Sequence, residues 1–177
     1  MKEGNINLFS REAEQIILGS LLYDNNTLKI ANTSCLSSED FYFEGHKIIY
    51  NIINDLIKNG IVADVNSVAE KLKAQDYLIK IGEVSVLNGM ISTVASPSNI
   101  NYYINTIKEF TLKRELQKLI LKASESLENG EMTEFTTSLE EMKSTVLGIK
   151  SVEELYVNAA TIKNRKKLKV LVQVLKK

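Results

Sequence analysis

Tryptophan is absent from the 177 residues, and proline, cysteine and histidine occur once each, as Pro97, Cys35 and His46. A single cysteine excludes an internal disulfide and fits a reducing compartment. Cys35 is expected to be a small buried apolar residue. A single histidine excludes a metal site built on a histidine pair. No run of about 18 apolar residues is present to span a membrane. The first residues are polar, and Ile16-Ile17-Leu18 is interrupted at once by Gly19 and Ser20, so no signal peptide is expected. These absences point to a cytoplasmic protein. None of the eight glycines is followed by lysine, so the phosphate-cradling loop G-x-x-x-x-G-K-[ST] is missing. No catalytic residue, cofactor site or metal site is expected in this chain.

What the chain does hold is helix-forming sequence. Its 44% apolar content is ordinary for a globular domain. Net charge is zero, but residues 1–150 carry 15 Lys/Arg against 20 Asp/Glu, and residues 151–177 carry 7 against 2. An acidic body argues against a broad nucleic-acid surface.

Ser10 reads as the N-cap of a helix with Ala13, Ile16, Ile17 and Leu21 on one face, ending near Tyr23. Glu12 and Glu14, near its start, complement the helix dipole on a solvated face. Thr27 to Ala31 suits a short second helix. Ser37 to Asp40 is a turn leading into Phe41-Tyr42-Phe43, of which some plug the core. Glu44 to Asn59 is a helix with a wide isoleucine and leucine stripe, and Gly60 fits its C-terminal cap. His46 sits just inside that helix, in a capping or packing role. Asp64 caps the next helix, and another runs from about Gly82 to Ile91.

Ser96-Pro97-Ser98 breaks the chain, with Ser98 as the next N-cap. The longest helix is placed over Asn99 to about Asn129, roughly 45 Å at 1.5 Å per residue. That exceeds what a body of about 100 residues, with a radius of gyration of about 13 Å, needs for its own cover. From Leu112 the apolar steps to Leu116, Leu119, Ala123 and Leu127 approach a heptad seam. Gly130 ends this helix. A second one, Thr133 to Leu147, carries Phe135, Leu139, Met142 and Val146. Two long seams joined by a short connection make an antiparallel hairpin, and a hairpin with an apolar seam usually finds a partner. Tyr102-Tyr103 is an amphipathic anchor at its base. The expected fold is all-α: a small globular helical head over residues 10–95, then a protruding antiparallel helical hairpin over 96–148. A disordered stretch, 1–9, precedes them. A linker-like segment and basic tail, 149–177, follow.

Several pieces occur in the order of a known family. They are Glu12-Ala13-Glu14-Gln15, Leu18-Gly19-Ser20-Leu21-Leu22 with Asp24, Asp40-Phe41-Tyr42, and His46 with Ile48-Ile49-Tyr50. Gly60 with Asp64, Ile81-Gly82-Glu83 with Leu87, Ser96, Ser98, Asn99 and Lys113-Arg114-Glu115-Leu116 continue the series. Over about 120 residues the chain resembles the N-terminal domain of the bacterial replicative DNA helicase DnaB. Where that family has a second glycine after Gly82, this chain has Glu83, so the turn there is tightened differently. Beyond about Ile149 the likeness fades.

The resemblance implies self-association, from dimer up to hexamer, in a collar built from paired hairpins and heads. It implies primase as a partner, and a full-length replicative helicase whose collar this chain could join. ATP and magnesium belong to a motor domain that these residues do not contain, and DNA is touched only indirectly or weakly. The hairpin, Asn99 to Leu147, would be the dimerisation and primase-facing element. Its candidate contact residues are Tyr103, Ile107, Leu112, Leu116, Leu119, Leu139 and Met142, the seam leucines and Met142 mostly facing the sister helix. The tail has three readings: a solvated helix with Leu168, Leu171, Val172 and Leu175 on one face, a nucleic-acid contact through Lys163, Arg165, Lys166, Lys167 and Lys169, or the out-of-frame end of a truncated helicase gene. The fading likeness favours the third. The competing function is that of a small helical DNA-binding protein using this tail.

Overall fold

Cap chemistry sets several helix boundaries in the computed structural model, which describes residues 8–94 and 99–161, of 149–161 the backbone only. Helix α1 (Arg11–Tyr23) begins where the Ser10 hydroxyl accepts the Ala13 N–H at 3.1 Å. Helix α2 (Thr27–Thr33) and a 3-10 turn (Ser38–Asp40) follow, the latter closed by a Ser37–Asp40 capping box. Helix α3 (Glu44–Lys58) leads to α4 (Val65–Ala74), whose N-cap Asp64 accepts the Ser67 N–H at 2.8 Å. That backbone bond holds the Asp64 carboxyl below the usual aspartate range. The depressed value means that this contribution to stability is present above the unfolded-state pKa and is lost on acidification.

Next come α5 (Leu78–Ile81), α6 (Glu83–Ser92), α7 (Ile100–Glu128) and α8 (Met132–Thr161). The four-residue α5 is not foreseen by periodicity, being too short to show one. Helix α8 runs fourteen residues past the expected Leu147. The Ser96-Pro97-Ser98 break and the Ser98 cap lie outside the described residues. Among the described residues there are no strands.

Two compact units divide the chain, Met1–Arg114 and Glu115–Lys177. The core of the first is made by Ile17, Leu18 and Leu21 of α1, Ile49 and Ile53 of α3, Leu72 of α4, and Leu87 and Met90 of α6. Ile100, Ile104 and Ile107 of α7 complete it at helical steps of four and three. Phe41 is buried in this core, Phe43 half-buried and Tyr42 exposed. At Gly19 the α1 backbone meets α6 so closely that an added Cβ would lie 2.2 Å from the Met90 carbonyl oxygen.

Cys35 is exposed, contrary to expectation. It closes α2 in a left-handed conformation, φ 51, with its own N–H bonded to the Asn32 carbonyl and the Leu36 N–H to that of Ala31. This is the Schellman pattern, which normally takes glycine at that position. Leu36, one residue on, is the buried one. Cys35→Gly should therefore stabilise the fold by about 1 kcal/mol by removing the left-handed penalty. A thermal melt checks it: a lower midpoint would contradict the cap assignment. Glu83 shows how the turn after Gly82 is made here. It takes φ 64 directly after Gly82 at φ 105.

Candidate interaction surface

The single histidine lies in a buried polar node. Glu14 is 1% exposed, which corrects the expectation of a solvated side chain. One carboxyl oxygen accepts the Tyr42 N–H at 2.8 Å. The other accepts the Phe43 N–H at 3.4 Å and faces His46 Nδ1 at 2.7 Å. Glu12, its neighbour in sequence, is exposed as expected. With two backbone N–H groups and the His46 ring nitrogen converging on its two oxygens, Glu14 is placed for structure rather than for proton transfer. Among the described residues no group of three or more His, Cys, Asp or Glu side chains is placed to hold a metal ion.

The node fixes the segment 41–43, and aromatic packing spreads from it. Phe9 stacks on Tyr42 at 4.5 Å, and the Arg11 guanidinium lies 3.8 Å over the Phe43 ring. Arg114 then ties α7 to the same region, donating to the carbonyls of Leu8 at 2.8 Å and Asp40 at 3.0 Å. Leu8 and Phe9, at the end of the stretch expected to be disordered, are thus held in place. Lys108 donates to the Cys35 carbonyl at 2.8 Å and pairs with Asp40 at 3.6 Å. The first part of α7 is anchored by side chains that sequence periodicity does not reveal.

In the second unit, α7 and α8 meet across Gly130. The left-handed Gly130, φ 77, lets the Glu131 N–H reach the Ser126 carbonyl at 2.8 Å and closes α7. Exposure identifies the seam. Leu116, Leu119, Ala123 and Ser126 on α7, and Phe135, Ser138, Met142 and Thr145 on α8, are buried or half-buried at steps of three and four. The apolar periodicity had pointed one residue later at three places, to Leu127, Leu139 and Val146. All three are exposed. The seam holds Ser126, Ser138 and Thr145 instead, polar residues that a search for apolar steps passes over.

This register places five of the seven exposed large apolar residues of the hairpin, Leu121 and Leu147 lying outside both flanks. In an antiparallel pair, the residues that follow the seam position at the three-step end of each heptad lie on one side for both helices. Here they are Ile120 and Leu127 on α7 and Met132, Leu139 and Val146 on α8, all between 39% and 59% exposed. The other side carries Lys122 and Glu141, paired at 3.9 Å, which confirms the register. The hairpin therefore has one apolar flank and one charged flank.

The residues singled out from the sequence now have places. Ile107 is buried in the core of the first unit and is unavailable to a partner; Tyr103 is half-buried against that core. Leu112, Leu116, Leu119 and Met142 are half-buried, whereas Leu139 lies on the exposed flank. Lys163, Arg165, Lys166, Lys167 and Lys169 lie outside the described residues.

A family model described as the DnaB-like helicase N terminal domain matches residues 6–109. The replicative DNA helicase DnaC of Bacillus subtilis (strain 168) is 32% identical over 119 residues, 67% of this chain and 25% of that protein. The crystal structure of the N-terminal domain of DnaB helicase from Mycobacterium tuberculosis is similar, with a TM-score of 0.69 and 27% identity, over 78% of this chain and 97% of that one. A DnaB-like replicative helicase, solved in a study of its interactions with primase, matches with a TM-score of 0.63 over 81% of this chain and 35% of its own. At 24% identity that second likeness is one of fold. The chain spans about a quarter of the length of the curated relatives it matches. Among the described residues no helix is long and apolar enough to cross a membrane.

Proposed function

Because this chain belongs to the DnaB-like helicase N-terminal domain family, we propose that it serves replication as an assembly module, joining copies of itself and docking primase. Its contribution is contact rather than turnover, since its 177 residues hold no phosphate loop. The observation that carries the reading is the apolar flank of the hairpin. Five large side chains in register on one side, with a charged pair on the other, favour a partner that covers the apolar side. A second copy presents the same flank and is complementary to it under two-fold symmetry. Primase enters as the second partner, supported by the solved relative studied with it. Such a module would also enter the collar of a full-length helicase by mass action.

Sedimentation velocity at micromolar concentration tests the first contact. The intact chain should run as a dimer or larger. The double variant Ile120→Glu, Leu139→Glu should associate about a hundredfold more weakly, because two carboxylates would have to be buried. A monomer at every concentration sinks the reading. Pull-down of the primase docking domain by the intact chain tests the second contact.

A further inference from the structure

The hairpin seam encloses several small and polar residues while many large apolar ones stay outside. Its seam buries Ala123, Ser126 and Ser138. The Ser126 hydroxyl donates back to the Lys122 carbonyl at 2.9 Å, and Thr145 in the same way to Glu141 at 2.8 Å. Ser138 is 0% exposed, and its hydroxyl has no hydrogen-bond partner. A buried hydroxyl left unpaired is a direct cost to the folded state. Helices of this length draw most of their stability from packing an apolar face, and here much of that face points outward.

We infer that the hairpin, residues 115–148, completes its folding only when a second copy covers the flank formed by Ile120, Leu127, Met132, Leu139 and Val146. Helix order and association are then a single transition, as in other coupled folding and binding. The inference rests on the proposed self-association and adds its regulation. The Gly130 closure sets the register before the partner arrives, while the exposed Lys122–Glu141 pair adds little strength. Below the dissociation concentration the first unit stays folded on its own core, and the hairpin opens.

Hydrogen exchange of the full 177-residue chain, read by mass spectrometry across concentration with sedimentation on the same samples, tests this. Exchange over 115–148 should slow about tenfold or more as the chain associates, while helices α1, α3 and α6 stay unchanged. Ser138→Ala removes the unpaired hydroxyl, so it should slow hairpin exchange about tenfold in the dilute chain and flatten the concentration dependence. A chain that associates while its hairpin exchanges equally in both states overturns the inference. A chain that never associates sinks the self-association reading instead. In that chain, fast hairpin exchange upholds the incomplete folding inferred here, and slow exchange overturns it.

Discussion

Gly19→Ala is expected to destabilise the first unit by about 2 kcal/mol or more, although alanine is the better helix former. Two effects compete. In a helix interior the exchange gains about 1 kcal/mol of propensity. Against it stands a Cβ placed 2.2 Å from the Met90 carbonyl oxygen, 2.7 Å from the Met90 carbonyl carbon and 2.8 Å from a Val94 methyl. Two of those neighbours are backbone, so no rotamer change relieves the clash; α1 and α6 must move apart and open the core around Leu18, Leu87 and Met90. Overpacking of this kind costs about 1–3 kcal/mol, and more where backbone must shift. Gly89→Ala provides the matched control. Gly89 is also inside a helix, and nothing lies within 4 Å of an added Cβ. It should gain about 0.5–1 kcal/mol. Paired denaturant melts decide the matter: if the two variants shift together, the close approach at Gly19 is not a stability determinant. Gly19→Val, with two further methyl groups, should prevent the unit from folding.

What was legible from the sequence is local chemistry. Ser10, Asp64, Gly60 and Gly130 mark their helix ends because a cap is made within a few residues of itself. The isoleucine stripes of α3 and of the start of α7 were legible because burial follows helical period. Cys35 was misread because its place is set by the hydrogen bonds closing α2, and the same identity fits a core or a cap. The seam was misread because serine and threonine at Ser126, Ser138 and Thr145 are small enough to be enclosed, leaving leucine and valine one step away in solvent. Nothing in the local pattern distinguishes Glu14 from Glu12. Their difference lies 28 to 32 residues away, in the backbone of Tyr42 and Phe43 and the ring of His46.

That distance is why Glu14→Ala should produce the other large loss, about 3 kcal/mol or more, because three polar groups lose their partner at about 1–3 kcal/mol each where they stay buried. Alanine removes the acceptor for two backbone N–H groups and leaves His46, itself buried, without its carboxyl partner. No water-exposed path replaces them, since Glu14 is almost fully enclosed. Glu14→Gln should cost less, about 1–2 kcal/mol. Its amide oxygen can still accept the Tyr42 N–H, and its NH2 can donate to Nδ1 if the imidazole takes the other tautomer. Because glutamine keeps the side-chain volume, its loss against the unsubstituted chain measures the hydrogen bonding, and the further loss in alanine adds volume and the remaining bonds. His46→Ala combined with Glu14→Ala then measures the coupling, which should exceed about 1 kcal/mol for groups in direct contact. A glutamine variant that melts with the unsubstituted chain, while alanine alone loses stability, would show that the node contributes by packing alone. The loss should also travel along the chain. The 41–43 segment lies beside the Asp40 carbonyl to which Arg114 donates, so Glu14→Ala should speed hydrogen exchange at the start of α7 as well as in α1. A single buried carboxyl would then hold together the first helix, the aromatic segment and the anchored root of the long helix.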